Sequence, residues 1–216
     1  MIRLCAACGA SLVLAFVPRT AGAQLHGDVG LEAGVEKRFL ESRPPSSEDA
    51  GFGPTFGLSA HVALLPLLRV GAYVSEDISP VKAEDTREIT SAGLSLRLLS
   101  PWPRGPLRTW LGVGFGYASA YAPSYVEALP SGTTATVESA RGGFFEAPLG
   151  IGASLRFARS WELIAEGGAR IGFGFTGSMY NQGPTVTSNG SSPQAQRALG
   201  EDSLGVFLAL GLAFEL

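Results

Sequence analysis

Apolar and polar residues alternate along the chain from about residue 28 to its end, with the period of two that a half-buried β-strand produces. The pattern is clearest in the last segment, where every second residue from Leu204 to Leu216 is apolar. Eight such segments are predicted, at about 28–36, 56–64, 68–75, 89–98, 108–117, 145–157, 162–175 and 203–216. Their length is roughly the 9–11 residues that a tilted strand needs to cross a bilayer.

The connections between these segments are of two kinds, and the two kinds alternate. Short ones are expected near residues 65–66, 100–106 and 158–160, and long polar ones at about 41–53, 76–88, 122–143 and 177–202. An even-stranded barrel with tight turns at one rim and longer loops at the other has this order. The predicted fold class is therefore all-β, a closed antiparallel transmembrane β-barrel of about eight strands. Pro148 cannot donate to a strand ladder, so it predicts either a β-bulge or a local error in this register.

The first 23 residues have the pattern of a secretory signal peptide. Arg3 is followed by an apolar run and then by small residues that end at Ala23, so cleavage is expected between Ala23 and Gln24. The predicted organisation is a signal peptide at 1–23 and an outer-membrane β-barrel domain at 24–216. Because Cys5 and Cys8 lie in the removed part, the mature chain is expected to have no thiol and no disulfide.

The charge of the predicted mature chain is mildly acidic. Loss of Arg3 and Arg19 leaves 14 basic residues against 19 acidic ones, a net charge of −5. Nucleic-acid binding depends mainly on basic side chains that neutralise phosphates. Nucleic acid is therefore not expected as a partner.

Aromatic residues are expected at both rims of the barrel, as the two girdles that meet the membrane surfaces. The turn rim would carry Trp102, Trp110, Phe157, Trp161 and Phe214, and the loop rim Phe39, Tyr73, Tyr117, Tyr121 and Phe175.

With this architecture, the whole mature chain resembles the small eight-stranded outer-membrane barrels of the OmpA transmembrane-domain and OmpX type. The resemblance implies a bacterial outer-membrane protein, exported through the periplasm, with outer-membrane lipids and the outer-membrane assembly machinery as partners. In that class the last strand usually ends in an aromatic residue that the machinery reads. Here the last residue is Leu216 and Phe214 stands two before it, so these two are the predicted assembly signal.

The polar faces of the strands carry acids and arginines in near-equal number, and in a barrel these faces point into the lumen. An eight-stranded barrel is just wide enough for side chains to fill it, so we expect a buried ion-pair plug rather than a pore. The network is predicted to include Glu32, Glu36, Arg69, Arg97, Arg108, Glu146, Arg156, Glu166 and Arg170. Arg156 and Glu146 are candidate partners for Glu166 and Arg170.

Three functions stay open at this point. The first is a non-enzymatic barrel with a structural or surface-interaction role, whose loops meet an extracellular partner that the sequence does not identify. The second is a small porin-like channel. The third is a lipid hydrolase, for which Ser59 and His61 share the inward face but lack an assignable carboxylate. The first is the prediction, with no catalytic residue, metal site or cofactor.

Overall fold

Eight long antiparallel strands close into a barrel, because the last of them pairs with both the first and the one that precedes it in the sheet. The computed structural model describes residues 26–39, 51–82, 85–101, 105–128, 134–181, 185–188, 194–195 and 204–216. The strands are β1 (Gly27–Phe39), β2 (Gly53–Leu65), β3 (Leu68–Lys82), β4 (Asp85–Leu99), β5 (Leu107–Ala122), β6 (Tyr125–Ala128), β7 (Thr134–Val137), β8 (Ala140–Arg156), β9 (Trp161–Gly177), β10 (Thr185–Ser188), β11 (Gln194–Ala195) and β12 (Leu204–Glu215). The barrel order is β1-β12-β9-β8-β5-β4-β3-β2. The predicted eight-stranded closed barrel is thereby confirmed.

The period-two pattern decides which side chains face outward. Leu94 on β4 and Ile151 on β8 are about two thirds exposed on the exterior, whereas Glu146 on β8 is wholly buried inside. An inversion of this kind, with apolar residues outside and charged residues inside, is typical of transmembrane barrels. None of the helices in the described ranges is long and apolar enough to cross a membrane, a criterion that does not apply to strands.

The loop rim is built differently from the prediction at one connection. Strands β3 and β4 continue through most of the range 76–88 that was expected to be a long loop. The inward register of β3 runs on through Asp77 and Ser79, and Arg87 on β4 faces the same interior; all three are buried. The residues expected to form a loop are polar because they face the lumen. Polarity alone therefore misplaced the ends of β3 and β4.

The two longest connections contain strands of their own, but these do not enlarge the barrel. Strands β6 and β7 lie in the connection from β5 to β8, and β10 and β11 in the connection from β9 to β12. They form a separate sheet in the order β11-β10-β7-β6. The pairing of β7 with β10 joins the two connections to each other at the loop rim.

Pro148 does not mark a bulge. The ladder between β5 and β8 is interrupted beside it, yet the register is the same on both sides, with Val113 opposite Leu149 and Gly116 opposite Glu146. A register shift with β9 lies nearer the start of β8, between Gly143 and Phe145. There Gly174 on β9 has a φ of 69°, a left-handed conformation that glycine adopts without strain.

Part of the predicted aromatic girdles is correct. Phe157, Trp161 and Phe214 are exposed at the turn rim, and Phe39 and Tyr117 toward the loop rim. Trp110 is instead buried inside the barrel, Tyr73 lines the lumen, and Phe175 packs on the buried Phe144 at 5.0 Å between ring centroids, just past the bulge. Trp102 lies outside the described residues, as do Ala23 and Gln24 at the predicted cleavage site.

Closure by β12 generates a prediction about assembly. Phe214 lies opposite Val29 of β1 and opposite Trp161 of β9, with the two rings edge to face at 5.2 Å. We expect deletion of residues 214–216 to lower the amount of folded protein in the outer membrane, with degradation or periplasmic accumulation of the rest. Leu204→Ala, at the far end of the same outer face, is the matched control. Normal insertion of the truncated chain would show that these residues do not serve assembly.

Candidate functional site

The lumen is the only part of the described barrel where charged side chains are concentrated away from solvent, so it is the candidate site. Its ion pairs form two groups. The loop-side network consists of Glu36, Arg38, Asp77, Glu146 and Arg170. The turn-side network consists of Asp28, Glu32, Arg69, Arg97, Arg108, Arg156, Glu162, Glu166 and Glu215.

Arg38 is the centre of the loop-side network. Its Nη2 donates to Asp77 Oδ2 at 2.7 Å and to Glu146 Oε2 at 2.9 Å, and its Nε lies 2.9 Å from Glu36 Oε1. All four side chains are at most 1% exposed. The guanidinium also lies 5.6 Å from the centre of the Phe144 ring. Arg38 thus lies among three carboxylates and one aromatic face.

Arg170 on β9 completes this network from the wall opposite Asp77. Its Nη1 donates to Asp77 Oδ2 at 3.1 Å and to Ser75 Oγ at 2.8 Å, and it approaches Glu146 Oε1 at 3.8 Å. Asp77 is on β3 and Arg170 on β9, which are diametrically opposite in an eight-stranded order. A direct contact between opposite walls means that side chains fill the bore at this level.

An apolar cluster closes the lumen above the loop-side network. A one-turn helix α1 (Ser178–Asn181) follows β9 and buries Met179 and Tyr180 against Phe144 and Phe175. Ser178 Oγ donates to the carbonyl oxygen of Arg141 at 3.2 Å and accepts from its N–H at the same distance, which ties the helix to β8. Two layers of side chains, one apolar and one charged, therefore lie across the loop end of the lumen.

The turn-side network is looser and nearer to solvent. Arg97 donates to Glu166 at 3.0 Å, lies 3.6 Å from Glu32, and stacks 4.8 Å from the Trp110 ring. Nearer the rim, Arg108 and Arg156 both contact Glu162, at 3.2 and 3.0 Å, and their side chains are about one third exposed. Burial thus decreases from the loop end to the turn end.

The structure brings all nine predicted network residues into ion pairs, with partners that differ in part from the candidates. Glu166 contacts Arg97, and Arg156 contacts Glu162 and Glu215, so the suggested pairing of Glu166 with Arg156 is wrong. Sequence reasoning missed Asp77, because it lay in the expected loop, although the alternation from Ser75 onward would have revealed it.

A cavity of about 90 Å³ lies between the two networks. Its wall includes Ser59, His61, Tyr73, Ser95, Gly112 and Phe207. The pairing of His61 with Ser59 that the hydrolase alternative would need is not formed, since no described residue hydrogen-bonds Ser59 Oγ. His61 Nε2 instead lies 2.9 Å from Ser95 Oγ. The cavity can hold water, which needs polar partners of this kind.

Comparison with solved structures identifies the fold, whereas no protein-family model and no curated protein sequence matches the chain. Neisserial surface protein A (NspA) is 13% identical, covers 88% of this chain and 97% of its own, and has a TM-score of 0.53. A major outer membrane protein from Thermus thermophilus is 14% identical, with 88% and 99% covered and a TM-score of 0.55. Ail, the attachment invasion locus protein of Yersinia pestis, is 7% identical, with 90% and 100% covered and a TM-score of 0.51.

The fold is that of the small outer-membrane β-barrels. The matches cover nearly the whole of each related chain, so the eight-stranded barrel itself is the shared unit. At such low identity the likeness concerns architecture, and the role of the lumen has to be argued from this chain's own residues.

The loop-side network generates a stability prediction. Arg170→Ala leaves buried carboxylates short of a counter-charge and should lower the free energy of unfolding by about 3–5 kcal/mol. Adding Asp77→Ala removes one charge of each sign, so the double variant should be less destabilised than Arg170→Ala alone. The surface control Arg159→Ala should change the free energy of unfolding by less than about 0.5 kcal/mol.

These values can be measured by urea unfolding of the barrel in lipid vesicles, followed by tryptophan fluorescence. Equal, near-neutral effects of Arg170→Ala and Arg159→Ala would contradict the buried network.

Proposed function

We propose that this chain is an integral outer-membrane protein whose lumen is closed to ions and whose principal role is structural or in surface interaction. The observation that carries the proposal is the contact between Asp77 and Arg170 from opposite walls, inside a network that also holds Arg38 and Glu146. A solute that crossed the barrel would have to separate these charges from each other.

The exterior supports the membrane location. Leucine, valine, isoleucine and phenylalanine side chains project outward from all eight barrel strands, many of them about half exposed or more. Exposure of such a surface to water would cost roughly 25 cal/mol for each Å² of apolar area. In a bilayer the same surface contacts lipid chains that are equally apolar. Backbone hydrogen bonds are satisfied around the closed ring, as the bilayer interior requires.

The difference in burial between the two networks supports closure of the lumen at its loop end. The loop-side side chains around Arg38 are at most 1% exposed, and the apolar cluster around Phe144 lies beyond them. When a buried ion pair is separated, each charge stays buried without its counter-charge, which costs several kcal/mol. An ion therefore meets its main barrier in the loop-side half of the barrel.

The surface role rests on the loop rim. The sheet formed by β6, β7, β10 and β11 adds a second structured layer to that rim, and Val126 on β6 is 65% exposed. Structured loops on a rigid barrel are the usual place for recognition. The extracellular partner stays unidentified, and on this proposal the loops bind without catalysing a reaction.

A small channel is the alternative, and the cavity between the networks is the observation that favours it. The two functions differ in conductance. We expect wild-type protein in planar bilayers to show no steady openings. A variant with alanine at Arg38, Asp77, Glu146 and Arg170 loses two charges of each sign and should conduct more, while Lys37→Ala, on the outer face, should not. Large and steady wild-type conductance would favour the channel.

The membrane location has its own test. The mature protein should fractionate with outer membranes and migrate faster on a gel when unheated than when boiled, because a closed hydrogen-bonded barrel resists detergent. Recovery of a stable monomer from the soluble periplasmic fraction would contradict the assignment.

A further inference from the structure

A row of four luminal positions runs across adjacent strands in the turn-side half of the barrel. Asp28 on β1 is directly opposite His61 on β2, His61 is opposite Gly71 on β3, and Gly71 is opposite Ser95 on β4. Three chemically distinct side chains thus stand at one level, with a residue that has no side chain between the second and the third.

Gly71 allows His61 to reach Ser95. A Cβ added at Gly71 would lie 2.4 Å from Cδ2 and 2.8 Å from Cγ of the His61 ring, so the imidazole occupies the space that any other residue would fill. The ring therefore crosses β3, and its Nε2 lies 2.9 Å from Ser95 Oγ. His61 is 3% exposed, which keeps bulk water from competing for this contact.

Asp28 stands at the other nitrogen. Its Oδ1 lies 3.5 Å from His61 Nδ1, an electrostatic approach without a hydrogen bond, and Asp28 is held in place by an ion pair with Arg69 and by Arg97 at 3.7 Å. A carboxylate beside Nδ1 favours the tautomer with the proton on that nitrogen, which leaves Nε2 free to accept the Ser95 hydroxyl proton.

We infer that Ser95 is an activated nucleophile, with His61 as its base and Asp28 as a positioning residue, and that it accepts acyl groups from small esters that enter the lumen. The order carboxylate, imidazole, hydroxyl is that of acyl-transfer enzymes, which recurs on unrelated folds and is recognised by geometry. This acyl-transfer activity is additional to the proposed structural or surface role and does not depend on whether the barrel conducts ions.

The reaction would proceed in two balanced steps. Ser95 Oγ bonds to the ester carbonyl carbon while its proton passes to His61 Nε2, the carbon–oxygen bond to the alcohol breaks, and the alcohol leaves with that proton. Water then attacks the acyl group with His61 as base, which releases the carboxylic acid and restores Ser95. Arg97, two residues along β4 on the same cavity wall, places a positive charge where the carbonyl oxygen becomes negative.

The cavity limits the substrate class. Ser95 and His61 both line the space of about 90 Å³ between the networks, which suits a short acyl group rather than a long chain. We assign entry to the turn end, where the network is less buried and the side chains of Arg108 and Arg156 are about one third exposed. Gly112 forms part of the wall, and a Cβ on it would have no neighbour closer than 3.8 Å, so there is room for a larger residue that takes up part of the cavity.

Methanesulfonyl fluoride tests the proposal, because it is small and sulfonylates activated serines with loss of fluoride. The folded barrel in detergent should be labelled at Ser95, as shown by mass spectrometry of the peptides, and faster than the chain unfolded in urea. Ser95→Ala should remove this label, and His61→Gln should slow it on the order of 10²-fold. Ser59→Ala, the other serine on the cavity wall near His61, should keep it.

Two further variants separate reactivity from folding. Gly112→Val should block labelling by filling the cavity while the heat-shifted gel migration of the folded barrel is kept. Asp28→Asn should lower the maximal labelling rate and leave the reagent concentration for half-maximal rate unchanged, as expected for loss of ring positioning alone. Labelling at Ser59, or wild-type labelling no faster than in urea, would overturn the proposal.

Discussion

The ion-paired side chains of the two luminal networks each meet an opposite charge from another strand, because eight strands leave room for side chains and little water. This constraint accounts for most of the interior. Arg38 is held by carboxylates from β1, β3 and β8, so three parts of the ring are joined through one guanidinium. The hydrogen-bonded wall and the charged interior therefore stabilise the same closed shape, and loss of one side chain would affect both.

The interior also shows where space is reserved for these long side chains. A Cβ at Gly152 would fall within 2.3 Å of the Trp110 ring, and one at Gly150 would meet Glu166 at 3.3 Å. Trp110 in turn carries Arg97 on its face. Gly150 and Gly152 are thus positions over which large inward side chains lie, and Gly71 gives His61 the same freedom.

Most of the fold could be predicted from the sequence, because membrane strands repeat one simple rule of alternation over ten or more residues. The bulge at Gly174 and the inward turn of Phe175 could not, since they depend on register between strands and not on either strand alone. For the same reason the nine predicted lumen residues were placed on the correct face while Arg97 was not recognised as the partner of Glu166. The row of Asp28, His61 and Ser95 is likewise a property of pairing across three strand boundaries.

On the proposed function, the lumen is sealed in its loop-side half and approachable from the turn side. Both cysteines fall in the predicted signal peptide, so a single cysteine at Gly112 would report access to the cavity without background. The protein should be placed in vesicles of known orientation and treated with a charged, membrane-impermeant thiol reagent from one side at a time. We expect reaction from the turn side alone, and rapid reaction from the loop side would show that the loop-side half is not sealed.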